Sequence, residues 1–247
     1  MGSIAHHALL LSDKQVRKAL VKVIAKLVHN GVKIKFKTKN NRPQGWLHRL
    51  ISVVLFFNKD YLTRYTTVIG NTIWFPSEEN YKELYEKRPA SLLATLLHES
   101  RHLEQVKEKG WLRHVVSYLF PQVLALGAFL TPLSPWFLVS LVFLLPLPSP
   151  YRVWAEKEGY RITAAVLYWT SGYPPNTYIF AKQFAGQNYY YMAPWWHVEK
   201  YMLEFEKFHQ EHEKAVWNDG ADLPPYLRTV FLLIKETRAE QKDSGAV

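Results

Sequence analysis

The chain has 247 residues, 48% of them hydrophobic and 21% charged, and it has no cysteine. That composition excludes a disordered segment, a disulfide scaffold and any thiolate metal centre, so a bound metal must be held by nitrogen and oxygen. The net charge of +10 is concentrated at the start: residues 1–42 carry ten Lys or Arg against one acid, Asp13, and the remainder is close to balance.

The opening stretch, MGSIAHHALLLSDKQ, has no basic segment before its short apolar run. It predicts no signal peptide, and hence a cytoplasmic or membrane-associated protein. Lys14, Lys18, Lys22 and Lys26 then recur on one face of a predicted helix, with Val16, Leu20, Val23, Ile24 and Leu27 opposite. Lys33, Lys35, Lys37 and Lys39 alternate with Val32, Ile34 and Phe36, which predicts a half-buried strand with one basic side. This 14–42 region is either solvated or a docking surface for an acidic partner. Phe36 is the only aromatic among these lysines, which argues against nucleic acid.

An apolar stretch follows, read as a helix over Gln44–Phe57 or a strand over Ser52–Phe57. Thr66–Ile69 and Thr72–Phe75 flank Gly70-Asn71 and predict a tight hairpin stopped by Pro76. EKRPASLLATLLHESRHLEQVKEKG reads as a helix with Pro89 in its first turn and Gly110 as its cap. From Val115 to Tyr151 no side chain is charged, and prolines leave two runs of about ten residues, short against the ~20 needed to span a bilayer. They predict an apolar helical hairpin. Its surroundings are the protein's own interior, an oligomer or particle contact, or a membrane surface entered as a re-entrant wedge; two true spans are disfavoured by the prolines. A helix capped by Gly172 comes next, then helices over Tyr178–Ala185, Trp195–Val216 and Pro225–Glu240.

The chemistry lies in Leu92–Gln105, where His98, Glu99 and His102 spell HExxH inside a leucine-rich helix. Residues four apart share a helical face, so two imidazoles can grip one cation. Glu99 is placed to take a proton from water activated by that ion, and Zn²⁺ is the expected cofactor. Burying such groups without partners is costly, which favours a site over an ordinary core. A third ligand is required. The continuation that would supply a third histidine fails, since Gln105 and Glu108 stand at its positions. Glu156 precedes Gly159 by three residues, so it can approach from a second, closely packed helix; Glu158, about 200° away on that helix, is the alternative.

HExxH followed by a glutamate on a later helix resembles the gluzincin metallopeptidases. The run Glu156, Gly159, Ile162, Thr163, Val166 is similar to the E-x-x-A-x-x-F-A-x-x-L stretch of ImmA/IrrE-like small metallopeptidases, with Gly159 and Thr163 in place of alanines. An apolar insertion between HExxH and the glutamate also resembles HtpX and CAAX prenyl-protease relatives, which have an aspartate where this chain has Tyr160. The resemblance covers roughly residues 60–170. It implies a zincin-like α+β fold, mostly helical, with a small antiparallel sheet packed on the active-site helix and an edge strand along the cleft. It also implies a zinc peptidase with a peptide or protein substrate.

As a single domain, 1–247 divides into a basic helix-strand (1–42), an edge hairpin and HExxH helix (66–110), the apolar insertion (115–151), a third-ligand helix (152–172) and an aromatic helical region (173–241). An oxyanion donor is expected among Tyr160, Arg161, Tyr189, Tyr190, Tyr191 and His197, which the sequence does not rank. NYYYMAPWWH reads as a packed corner rather than a substrate cleft. The competing reading is a non-catalytic structural or assembly protein, such as a phage virion component, that retains a zinc site.

Overall fold

Ser12 opens the first helix: its hydroxyl accepts from the Gln15 N–H while the Gln15 side chain accepts from the Ser12 N–H, satisfying two donors that would otherwise be orphaned. A computed structural model describes residues 11–39, 42–46, 48–49, 59–145, 147–172, 176–186, 189, 191–213 and 220–244. The expected apolar element over Gln44–Phe57 lies largely outside these residues.

In chain order the elements are α1 (Asp13–His29), β1 (Lys33–Phe36), β2 (Thr38–Lys39), β3 (Arg42–Pro43), β4 (Thr67–Ile69), β5 (Thr72–Phe75), α2 (Glu78–Lys87), α3 (Pro89–Lys109) and α4 (Trp111–Leu119). Two 3₁₀ segments, Gln122–Leu130 and Pro135–Leu144, precede α5 (Pro150–Ser171), α6 (Thr177–Phe184), α7 (Val198–Glu213) and α8 (Pro225–Ser244). The protein is mostly helical with a small sheet. The expected apolar helical hairpin is built from these two 3₁₀ segments, tighter per turn and longer per residue than an α-helix.

Two compact units emerge: Met1–Leu103 with Glu158–Pro175 and Phe205–Val247, and Glu104–Lys157 with Asn176–Glu204. The helices α3 and α5 each run unbroken through both.

In the first unit β5 is the central strand. β4 pairs with it antiparallel through the predicted hairpin, while β1 pairs with it parallel, Lys33 opposite Thr72 and Phe36 opposite Phe75. The sheet is thus mixed, not the antiparallel sheet expected. β1 and β5 are separated by more than thirty residues, too long a connection for a hairpin, and a crossover of that length permits the parallel order. Ile73 and Phe75 are fully buried against Val16, Leu20 and Val23 of α1, Leu92, Leu93 and Leu96 of α3, Ile162 and Val166 of α5, and Leu227 and Phe231 of α8.

The basic face of α1 is partly answered inside this unit. Lys18 and Lys22 both reach Glu240 of α8 at 2.5 Å, which holds that carboxyl down at about 2, and Arg17 donates to the carbonyls of Tyr85 and Glu86. Lys37 departs further from expectation. The alternation holds through Phe36 and then breaks, so that Lys37 is fully buried rather than part of a basic strand face.

In the second unit, His114, Val153, Ala155, Ala181, Phe184, Met192 and Ala193 are buried. Met192 and Ala193 are the packed corner read from the sequence: the Met192 carbonyl accepts from Ser149 N–H and Ala193 N–H donates to Phe184. Their neighbours Trp195 and Trp196 are exposed.

Candidate metal centre

Leucines 92, 93, 96, 97 and 103 bury α3 as their spacing requires, and His98, Glu99 and His102 sit among them, each less than a tenth exposed. One turn apart, the His98 and His102 rings have centroids 5.0 Å from each other. α5 comes close to His98 because Gly159 has no side chain: a Cβ there would lie 2.6 Å from His98 Nε2 and 2.7 Å from Cε1.

One turn further along α5, Thr163 Oγ1 is 3.1 Å from His98 Nδ1 and donates its own proton to the Gly159 carbonyl. With the Thr163 proton on that carbonyl, the Thr163 oxygen can accept from Nδ1–H, the arrangement that leaves His98 Nε2 its lone pair for a metal. Glu156 lies one turn before Gly159. One oxygen of its carboxylate and one imidazole nitrogen from each of His98 and His102 all fall within 4.8 Å of one another. Among the described residues this is the group of His, Asp and Glu able to hold an ion, and all three are buried. Two neutral nitrogens and one carboxylate oxygen suit a divalent ion such as Zn²⁺, and three protein ligands is the number a catalytic zinc takes, where structural sites take four.

Glu158, the alternative ligand, points elsewhere. It accepts from Arg101 Nε at 2.9 Å, in an ion pair with both side chains largely buried, and the Arg101 guanidinium lies over the Tyr226 ring. Tyr160 stands edge-on to the His98 ring, centroids 5.1 Å apart. Arg161 lies over Phe208, and the Tyr189 carbonyl accepts from Arg152. Tyr191 is exposed, His197 packs edge-on against Tyr201, and Tyr190 is outside the described residues.

No protein-family model matches this chain, and neither the curated proteins nor the solved structures yield a match. The resemblance to gluzincins therefore rests on the residues just described.

Two participants were missed in the sequence. Tyr118 donates to Glu156 Oε1 at 2.5 Å, a charge-assisted bond that orients the carboxylate. Nothing in the local pattern marks Tyr118, which lies 38 residues away in an apolar segment. Lys37 is the other. Its ammonium donates to the carbonyls of Tyr61 and Tyr65 and lies 4.0 Å from the Tyr61 ring centroid, and its charge interacts with that of Glu99. Burial pulls Lys37 from its ordinary 10.5 to about 7, with Glu99 opposing the shift.

Gly159→Ala sets two effects against each other. Replacing a helical glycine gains about 1 kcal/mol of helix propensity, whereas forcing a methyl into a filled space costs about 1–3 kcal/mol. The His98 ring is buried and held by Thr163, so the clash wins. Thermal unfolding should show a destabilised variant, and zinc titration a weakened site. A stabilised variant with unchanged zinc affinity contradicts the close packing.

Lys37 carries a pH signature. Between pH 7 and 10.5 the unfolded chain retains a proton that the folded chain has released, so unfolding free energy rises with pH across that window; below 7 the fold bears the full burden of a buried ammonium. Lys37→Met deletes this dependence. Its stability relative to the parent should fall by roughly 2 kcal/mol between pH 7.5 and 9.5 in urea unfolding, and a pH-independent difference contradicts the assignment.

Proposed function

We propose that the protein is a zinc-dependent peptidase that cleaves peptide bonds with activated water, on a zincin-like arrangement of helix and edge strand. The convergence of His98, His102 and Glu156, with Glu99 adjacent on α3, carries this reading. When bound, the ion lowers the pKa of a water and polarises a carbonyl. The chain's own residues do the rest. Thr163 and Tyr118 hold His98 and Glu156 in ligating geometry. The Glu99 carboxylate receives a proton as water adds to the scissile carbonyl carbon and passes it to the leaving amine nitrogen, so that a carboxylic acid and an amine are released. Lys37 and Glu99 attract one another while both are charged, which places the two side chains in one electrostatic environment. Tyr160, beside His98, is the candidate donor to the developing oxyanion. β4 forms an edge of the sheet and can add an extended peptide as a further strand.

A glutamate next to the first histidine supplies the proton acceptor that hydrolysis needs and is not required to hold a structural zinc, which favours the enzyme over an assembly protein. The test is cleavage of a proteome-derived peptide library by zinc-loaded protein, with and without a chelator. Cleavage that stops on chelation and returns with zinc is expected; no cleavage by loaded protein contradicts the proposal.

A further inference from the structure

Exposed large apolar side chains are concentrated in the second unit, on α4, the 3₁₀ hairpin and the stretch after Ala193, with Phe129, Leu133 and Trp136 about four-fifths exposed. Soluble surfaces rarely carry so continuous a patch. We infer that this unit is a monotopic membrane anchor, with the hairpin inserted in one leaflet and α4 lying in the plane of the interface.

The 3₁₀ period identifies the covering medium. With three residues per turn, Pro135–Leu144 has three rows of side chains. The row through Ser140 faces the other arm, where a Cβ on Gly127 would lie 3.1 Å from Ser140 Cβ. The rows Trp136, Val139, Val142 and Leu138, Leu141, Leu144 are both exposed. A protein groove covers one side of such a rod and leaves the other row in water, whereas hydrocarbon covers both. Polar groups are closed off to match. Thr131 and Ser140 donate to carbonyls within the hairpin, and the prolines at its turn have no N–H to satisfy. Small residues at the contact between the arms, Gly127 and Ser140, are those that let apolar helices approach in lipid.

Length and angle fix the mode. Nine or ten residues at ~2.0 Å each reach about 20 Å, short of the ~30 Å hydrocarbon core but sufficient for one leaflet. No single described helix is long and apolar enough to cross a membrane. α4 meets the first arm at 95°, so an arm along the bilayer normal lays α4 in the surface. α4 is amphipathic in the required sense. His114 and Tyr118 face inward to Tyr151, Arg152 and Glu156, while Leu112, Val116 and Leu119 are exposed on the other side. At the base, Arg152 bonds Gln122 and the Tyr118 carbonyl, and exposed Trp111, Trp195 and Trp196 are the residue type that settles at the headgroup level.

The absence of native cysteine allows single-site labelling. Full-length Leu133→Cys and Val21→Cys, each carrying an environment-sensitive fluorophore, are mixed with vesicles of phosphatidylcholine and phosphatidylglycerol. Label at 133 should blue-shift and be quenched by acyl-chain-brominated lipid, and label at 21 should not. Phe129→Glu with Leu133→Glu, on exposed positions that leave the fold intact, should partition at least about a hundredfold more weakly. Absence of vesicle binding overturns the inference, as does binding with position 133 unquenched. A vesicle-free dimer that the double variant dissociates overturns it in favour of a second copy as the occupant.

Discussion

Glu99→Gln should retain zinc and stay folded while losing peptide hydrolysis by about 10²–10⁴-fold, the range general acid–base catalysis supplies. The substitution is nearly isosteric and leaves His98, His102 and Glu156 in place. What it removes is the ability to accept a proton. Glu99 is buried beside the ligands and interacts with the charge of Lys37. The readouts are single-turnover cleavage of a peptide found in the library assay and zinc content of the same preparation. Undiminished cleavage removes Glu99 from the mechanism; lost zinc together with lost activity shows a structural defect instead.

The two glutamates of α5 should behave in opposite ways. Glu156→Gln takes away the charged oxygen donor, and zinc affinity should fall by more than about a hundredfold, beyond the 10–100-fold expected for Tyr118→Phe, which removes only the bond that orients it. Zinc at 100 times its Kd stabilises a binding protein by about 2.7 kcal/mol, so the zinc-dependent rise in Tm should vanish in Glu156→Gln. Glu158→Gln should keep that rise yet destabilise the protein, because it removes the carboxylate that pairs with the buried Arg101 guanidinium. The reverse pattern would mean that Glu158 is the ligand.

Much of this arrangement was legible because it is local. Helical spacing placed His98 and His102 on one face, and the leucines around them foretold burial. Gly159 announced the close approach that Glu156 needs, and the choice between Glu156 and Glu158 followed from which side of α5 carries the glycine. Non-local pairing was not legible. The parallel match of β1 with β5 depends on a crossover, so the sheet was misread as antiparallel. Lys37 looked like the next basic tooth of an alternating strand, and only the bend after Phe36 turns it inward among the carbonyls of Tyr61 and Tyr65. Tyr118 belongs to an apolar segment whose fold no motif records. Period alone likewise could not distinguish a 3₁₀ hairpin from an α-hairpin in the charge-free run.

Crystals grown with zinc and measured on both sides of the zinc absorption edge test the central claim most directly. A single anomalous peak bounded by His98 Nε2, a His102 nitrogen and a Glu156 carboxylate oxygen, with solvent at the fourth position, is the predicted result. Fully supplied crystals with no peak there, or with a peak at which four protein side chains close the coordination, would contradict the account.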